Sequence, residues 1–374
     1  MNPQAAQRLY LDHNATTPVH PRVAAAMQAA LDSYGNPSSA HWAGGPARLI
    51  VEDARRQVAH LLGCEPNEVI FTSGGSEANN LALKGLAFAR GVAHTHIITT
   101  AIEHPAILAP CAFLEKLGAT CTVIPVDGTG RIDPDDLRRA IRPDTSLISV
   151  MHANNEVGSI QPIAECGRIA RAHGIPFHTD AAQSVGKIAT QVATLGVDML
   201  TIAGHKLYAP KGIGALYVRS GLTLEPLIHG AQHERGRRAG TESGVLCAAL
   251  GTACTLAMDL APNEEIRRLR DAFWDGLQER FGARVVLNGH PVERLPNTLN
   301  VSFLGAVGGE LLARFPDIAA STGSACHAGS IELSPVLKAM GVTPENGVGA
   351  VRFSLGRGTT RAHVESALAQ LSQI

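Results

Sequence analysis

An α/β fold built on a mostly parallel sheet, joined to a second and smaller α+β domain, is what this sequence predicts. Three observations carry that expectation. A chain of 374 residues with 45% apolar content can bury one large core or two adjoining ones. Short apolar runs alternate with helix-like segments from Glu68 to Val218, and beyond Gly244 the alternation stops. Strands joined by crossover helices lie parallel and are covered on both faces.

In chain order, the run Val69–Phe71 precedes a helix over Glu77–Ala89. His96–Thr99 precedes Ala106–Leu117, and Thr122–Val126 precedes Pro134–Ile141. Ser146–Met151, the helix Ile163–His173, Pro176–His178, Met199–Ile202 and Gly214–Val218 complete a set of seven strand-like runs. Ligands of such sheets sit at the carboxyl ends of the strands. The most apolar stretch, Gly244 to Ala261, is broken by Gly251, Thr252, Thr255 and Asp259, which predicts a buried helix rather than a membrane span. A charged helix, Asn263–Arg280, then leads to strands near Val285–Leu287, Thr298–Phe303 and Ile318–Ala320. The expected division is a large domain over 15–255 and a small one made of 1–14 with 256–374, the latter carrying a mobile segment at about 321–333. There is no internal repeat or long linker, so the domains should pack together.

Lys+Arg of 32 against Asp+Glu of 33 leaves a formal charge of -1, so no basic field invites nucleic acid or an anionic membrane. A small-molecule enzyme fits better. The amino terminus lacks the basic-then-apolar order of a signal peptide. Seven cysteines, odd in number and without a CxxC pair, argue against a disulfide framework and for a reducing compartment, so a cytoplasmic location is expected, with no metal site.

The chemistry starts with Lys206 in Met199-Leu-Thr-Ile-Ala-Gly-His-Lys-Leu-Tyr and with Asp180, which closes Ile175-Pro-Phe-His-Thr-Asp. Each follows a strand-like run. A lysine so placed can form a Schiff base with an aldehyde cofactor, and a carboxylate on a neighbouring strand end can keep a pyridine nitrogen protonated, the two needs of pyridoxal phosphate. Both residue types also follow strands as solvated loop residues, so the pair alone leaves both readings open. Thr72-Ser-Gly-Gly-Ser-Glu-Ala-Asn-Asn opens a helix after a strand, where glycines, free N–H groups and the Ser76 hydroxyl suit a phosphate; an ordinary capped turn has the same appearance. His205 is a candidate second phosphate ligand. Cys326 lies in Ser321-Thr-Gly-Ser-Ala-Cys-His-Ala-Gly-Ser, too poor in apolar side chains for a core filler, whereas Cys64, Cys111, Cys121, Cys166, Cys247 and Cys254 read as buried fillers.

An ordered series then spans nearly the whole chain: Tyr10-Leu-Asp-His-Asn-Ala-Thr-Thr-Pro, Phe71-Thr-Ser-Gly-Gly-Ser-Glu, Glu103-His-Pro, His152-Ala-Asn-Asn-Glu-Val-Gly, Asp180-Ala-Ala-Gln-Ser-Val-Gly-Lys, Gly204-His-Lys, Arg237-Arg-Ala-Gly-Thr, Ser324-Ala-Cys and Arg352-Phe-Ser-Leu-Gly-Arg. It resembles the NifS/IscS-type cysteine desulfurases, homodimeric class V enzymes of the fold-type I pyridoxal phosphate transferases. The resemblance implies that Lys206 carries the cofactor, Asp180 faces its pyridine nitrogen, and His104 stacks on the ring and moves protons. It implies Gln183 and Asn155 at the phenolic oxygen and substrate side, Gly75, Ser76 and His205 at the phosphate, and Thr241 reaching that phosphate from the second subunit. Asn14, Asn155 and Arg352 would hold the substrate, Arg352 by a fork on its carboxylate. Cys326 would take sulfur from L-cysteine, leaving alanine and a persulfide.

Two departures stand out. Ala203 replaces the serine found in many of these enzymes, which removes a phosphate hydroxyl, and the chain ends at Ile374 without the longer tail by which some relatives dock a scaffold protein, leaving docking to a sulfur acceptor open. The related alternative is a selenocysteine lyase, suggested by His327 beside Cys326. A class V aminotransferase and a non-enzymatic sulfur-relay protein are more remote; the intact Lys206, Asp180 and Cys326 speak against the latter.

Overall fold

The computed structural model describes residues 8–322, 324–327 and 330–373, with side chains described for all of these except 324–327 and 330–332. Seven strands form the main sheet: β2 (Val69–Thr72), β3 (His96–Thr100), β4 (Thr120–Ile124), β5 (Thr145–Ser149), β6 (Phe177–Asp180), β7 (Met199–Ala203) and β8 (Gly214–Val218), while β1 (Leu9–Tyr10) lies elsewhere. Their order is β2-β8-β7-β6-β5-β3-β4. From β4 to β7 every neighbouring pair is parallel, and β8 runs antiparallel to both β7 and β2. The reversal has a local cause: β7 reaches β8 through a short turn with no crossover helix, and a short connection can only pair strands antiparallel.

Every strand but the edge strand β4 is buried on both faces, and the period of two divides the residues between two cores. Phe71, Ile98, Ile148, Leu200 and Ala215 point to one, and Ile70, Ile97, Leu147, Met199 and Leu216 to the other. The second core is closed by α3 (Gly75–Arg90) and α4 (Pro105–Glu115), numbered after α1 (Pro21–Ala30) and α2 (Gly44–Leu62). The crossovers α5 (Pro134–Ala140), α6 (Ile163–Ala172) and α7 (Val192–Leu195) follow, with α6 and α7 on the first core.

The apolar stretch after Gly244 is helix α8 (Gly244–Ala257), packed on α1 and α2. A Cβ on Gly251 would stand 2.7 Å from the Ala54 Cα, so glycine permits the close approach of α2 and α8. Neither α1 nor α2 was evident in the sequence, because Glu52, Asp53 and Arg56 interrupt the apolar positions of α2. Among the described residues no single helix is long and apolar enough to cross a membrane.

A third core gathers Leu9, Leu11, Phe273, Leu277, Val301 and Phe353. Helix α9 (Ala261–Phe281) covers an antiparallel sheet of β9 (Val285–Asn288), β10 (Thr298–Phe303), β12 (Ser321–Thr322) and β15 (Ala350–Ser354). β1 pairs in parallel with β11 (Ile318–Ala319), which ties Leu9 and Tyr10 to this second unit. Within the segment expected to be mobile, the described backbone is paired. β12 joins β15, and β13 (Ser324–His327) pairs with β14 (Ser330–Leu333), setting Cys326 opposite Ile331.

Candidate active site

Carboxyl ends of β2, β3, β5, β6 and β7 open on one side of the sheet, and an open cleft of about 790 Å³ lies there. Asn14, Gly75, Ser76, His104, Asn155, Asp180, Gln183, Ala203, His205, Lys206 and Arg352, scattered over the sequence, all line it. Parallel strands make this possible because each contributes its following loop to the same edge.

The Gly204–Lys206 turn after β7 brings the Lys206 Nζ to the backbone carbonyls of Asn14 and Ala15, at 2.5 and 2.7 Å. Burial, reinforced by Arg352 and opposed by Asp12 and Asp180, pulls this amine down to about 8. A substantial neutral fraction near neutral pH makes it a nucleophile toward a carbonyl. Asp180 at the end of β6 is buried and fixed by two donors, Asn79 Nδ2 at 2.6 Å and the Ala182 N–H at 2.9 Å. Behind it Glu103 is pushed up to about 8 by burial, with Asp180 adding to the rise against hydrogen bonds from Met151 N–H and Thr100 Oγ1. A neutral Glu103 places no second negative charge beside Asp180.

His104 caps α4: its Nδ1 accepts from the Ala106 N–H at 3.0 Å, so the neutral ring carries its proton on Nε2. Burial, with Lys206 adding and Asp180 opposing, lowers its basicity. His205 is pulled to about 4 by burial, Lys206 and Lys211, and its Nδ1 lies 3.2 Å from Thr16 Oγ1. Gly75 begins α3, whose free N–H groups form an anion site; a Cβ there would stand 3.2 Å from the Ala203 Cβ. Ala203 therefore contributes a methyl wall and no hydroxyl.

Arg352 stands in the middle of β15, and it is engaged rather than free. Its Nη2 meets Asp12 at 2.7 Å and Ser321 Oγ at 3.0 Å, its Nη1 donates to the Asn155 carbonyl at 3.0 Å, and its buried Nε has no partner. Of its five N–H donors three are taken, which leaves the buried Nε–H and one hydrogen on Nη1. Thr241 does not line this cleft; it borders another pocket with Phe71, Ser73 and Arg238. Cys326 is placed by its backbone in β13, and its side chain lies outside the described residues. The six described cysteines are free thiols, but Cys64 and Cys121 are half-buried rather than buried as expected, because β4 is a sheet edge and Cys64 follows the end of α2.

Four site residues escaped the sequence reading: Asp12, Asn79, Glu103 and Lys187. All fall inside the quoted motifs, yet only the folded chain shows what each touches. Lys187 donates to Gln183 Oε1 at 2.8 Å and to Asn14 Oδ1 at 3.3 Å, and burial with Lys206 and Arg352 close by pulls it to about 7.

Over residues 9–366 the sequence matches the family described as Aminotransferase class-V. The chain belongs to this family. It is 47% identical to the cysteine desulfurase IscS of Dictyoglomus turgidum, with 98% of this chain and 94% of the relative aligned, and 46% identical to that of Methanosarcina thermophila, over 98% and 91%. Among solved structures it is similar to a NifS-like protein, with TM-score 0.92, 36% identity and 98% and 99% of the two chains covered. A structure described as SspA in complex with cysteine matches at TM-score 0.84 and 38% identity, over 94% and 100%.

The family member described here has the fold-type I architecture and uses pyridoxal phosphate. Its residues fit the group. The cleft combines a buried carboxylate with fixed donors, an amine of depressed basicity, a helix start free of Cβ bulk at Gly75 and a neutral histidine at its edge.

Proposed function

We propose that this chain is a cysteine desulfurase that converts L-cysteine to L-alanine and stores the sulfur as a persulfide on Cys326. The juxtaposition of the Lys206 amine, buried Asp180 and Arg352 in one cleft carries the reading. When bound, pyridoxal phosphate supplies an electron sink that loosens the bonds to the substrate's Cα and Cβ. Lys206 would hold it covalently, Asp180 would face its pyridine nitrogen, Gln183 its phenolic oxygen, and Gly75, Ser76 and His205 its phosphate. Arg352, which lines the cleft, would hold the substrate carboxylate with Asn14 and Asn155 alongside, and His104 and Lys206 would move protons at the substrate carbons.

The Cys326 thiolate attacks the substrate sulfur. As the S–S bond forms the Cβ–S bond breaks, its electron pair stays with carbon, and a proton completes the methyl group of alanine. The persulfide then passes sulfur to a nucleophilic acceptor for iron–sulfur or thio-cofactor assembly. A reducing compartment, the cytoplasm, suits this chemistry. Purified protein given L-cysteine and a thiol reductant should form alanine and sulfide in equal amounts; a keto acid in place of alanine would turn the reading toward an aminotransferase.

The working unit of the proposal is a homodimer. Thr241 is displaced from the cleft of its own chain, and Tyr34, Trp42 and Leu49, 79%, 82% and 62% exposed, are large apolar side chains that a second subunit would cover. Mixed dimers of Lys206→Ala and Thr241→Ala subunits should therefore regain one working site of two. No recovered alanine formation in verified heterodimers would place Thr241 outside the site.

A further inference from the structure

We propose that Lys187 is a positioning residue: its amine holds the side-chain amide of Gln183 in the one orientation that turns an N–H toward the cofactor's phenolic oxygen. The proposal rests on the assignment of Gln183 to that oxygen. An amide has an acceptor end and a donor end of nearly equal shape, so something in the protein must choose between its two orientations. Here both ends are spoken for. Gln183 Oε1 accepts from Lys187 Nζ at 2.8 Å, and Gln183 Nε2 donates to the Asn14 carbonyl at 3.0 Å. In the flipped orientation Nε2 would face the Lys187 amine, donor against donor, and Oε1 would face the Asn14 carbonyl, acceptor against acceptor.

With the orientation set, one Nε2 hydrogen is taken by Asn14 and the second remains for the cleft that Gln183 lines. Lys187 also supports the same wall by a second route. It donates to Asn14 Oδ1 at 3.3 Å, beside the Asn297 amide at 2.9 Å, while the Asn14 carbonyl receives Lys206. The lysine therefore anchors the two residues that contact the cofactor-bearing amine and the phenolic oxygen without lining the cleft itself.

Absorption of the bound cofactor reads the outcome directly, since a donor on the phenolic oxygen favours its ionised, longer-wavelength form. At one fixed pH, Gln183→Leu should shift absorption to shorter wavelength, and Lys187→Met should do the same with most of the long-wavelength band lost. The Gln183→Leu/Lys187→Met double variant should match Gln183→Leu alone, because the lysine acts through the amide. If Lys187→Met does not fold by far-UV circular dichroism, Lys187→Gln, polar but one atom too short to reach Oε1, takes its place with the same expected shift. A wild-type spectrum in a Lys187→Met or Lys187→Gln variant, or an additive shift in the double variant, overturns the proposal. An unshifted Gln183→Leu spectrum removes the Gln183 assignment and the proposal with it, whereas a shifted Gln183→Leu beside an unshifted Lys187→Met defeats the Lys187 role alone.

Discussion

Cys326→Ala should bind L-cysteine as tightly as the wild type and yet lose nearly all alanine formation. Arg352, Asn14 and Asn155, the residues proposed to hold the substrate, are untouched by the change, so the spectral response to added L-cysteine should persist. What disappears is the acceptor for sulfur. Without a thiolate on Cys326 the Cβ–S bond can break only by expelling hydrosulfide unaided. A rate loss on the order of 10³-fold corresponds to about 4 kcal/mol of lost transition-state stabilisation. L-selenocysteine separates the mechanisms further. The weaker carbon–selenium bond and the better leaving group should let the same variant release measurable selenide, so its defect should be far smaller with selenium than with sulfur. Alanine formed from L-cysteine by Cys326→Ala at near wild-type rate would end the persulfide mechanism and bring the lyase and aminotransferase readings forward.

Lys206→Ala should abolish both covalent cofactor attachment and turnover. The amine sits 2.5 and 2.7 Å from two backbone carbonyls, which aim it across the cleft, and burial holds it near 8, where a neutral fraction is always at hand. Alanine removes the nucleophile and a proton carrier together. Loss of a positioned acid–base group alone typically costs about 10²–10⁴-fold, so a larger combined loss is expected. Borohydride reduction followed by peptide mass analysis checks the assignment. The wild type should carry the reduced cofactor on Lys206 and the variant on no lysine. An adduct on Lys187 in the wild type, whose amine is also of depressed basicity, would show that the structure's second buried amine is the true carrier.

Much of the main sheet could be read from the chain. Its strands are continuous apolar runs because both faces are covered, and the intervening helices have the length a crossover requires. β4 sits two residues earlier than its run suggested, at Thr120–Ile124, since an edge strand is held by pairing with β3 and not by its own apolar count. Helices α1 and α2 stayed hidden for a related reason. Their burial comes from α8, nearly two hundred residues away in sequence, and only contact with α8 distinguishes α2 from a solvated helix.

By itself the sequence determined the sheet class, the order of the motifs and the residue types that the chemistry needs, since these follow from local period and from what each side chain can do. Which residues share a cleft was decided by the tertiary structure, because long-range pairing alone brings Asn14, Asp180, Lys206 and Arg352 to one edge of the sheet. The same holds for charge. Nothing local to Glu103 or Lys187 announces a carboxyl near 8 or an amine near 7; those values arise from burial beside Asp180, Lys206 and Arg352, which only the folded chain supplies. Asp12 gives the sharpest case, for the residue that occupies Arg352 lies 340 positions from it in the chain and 2.7 Å from it in the fold.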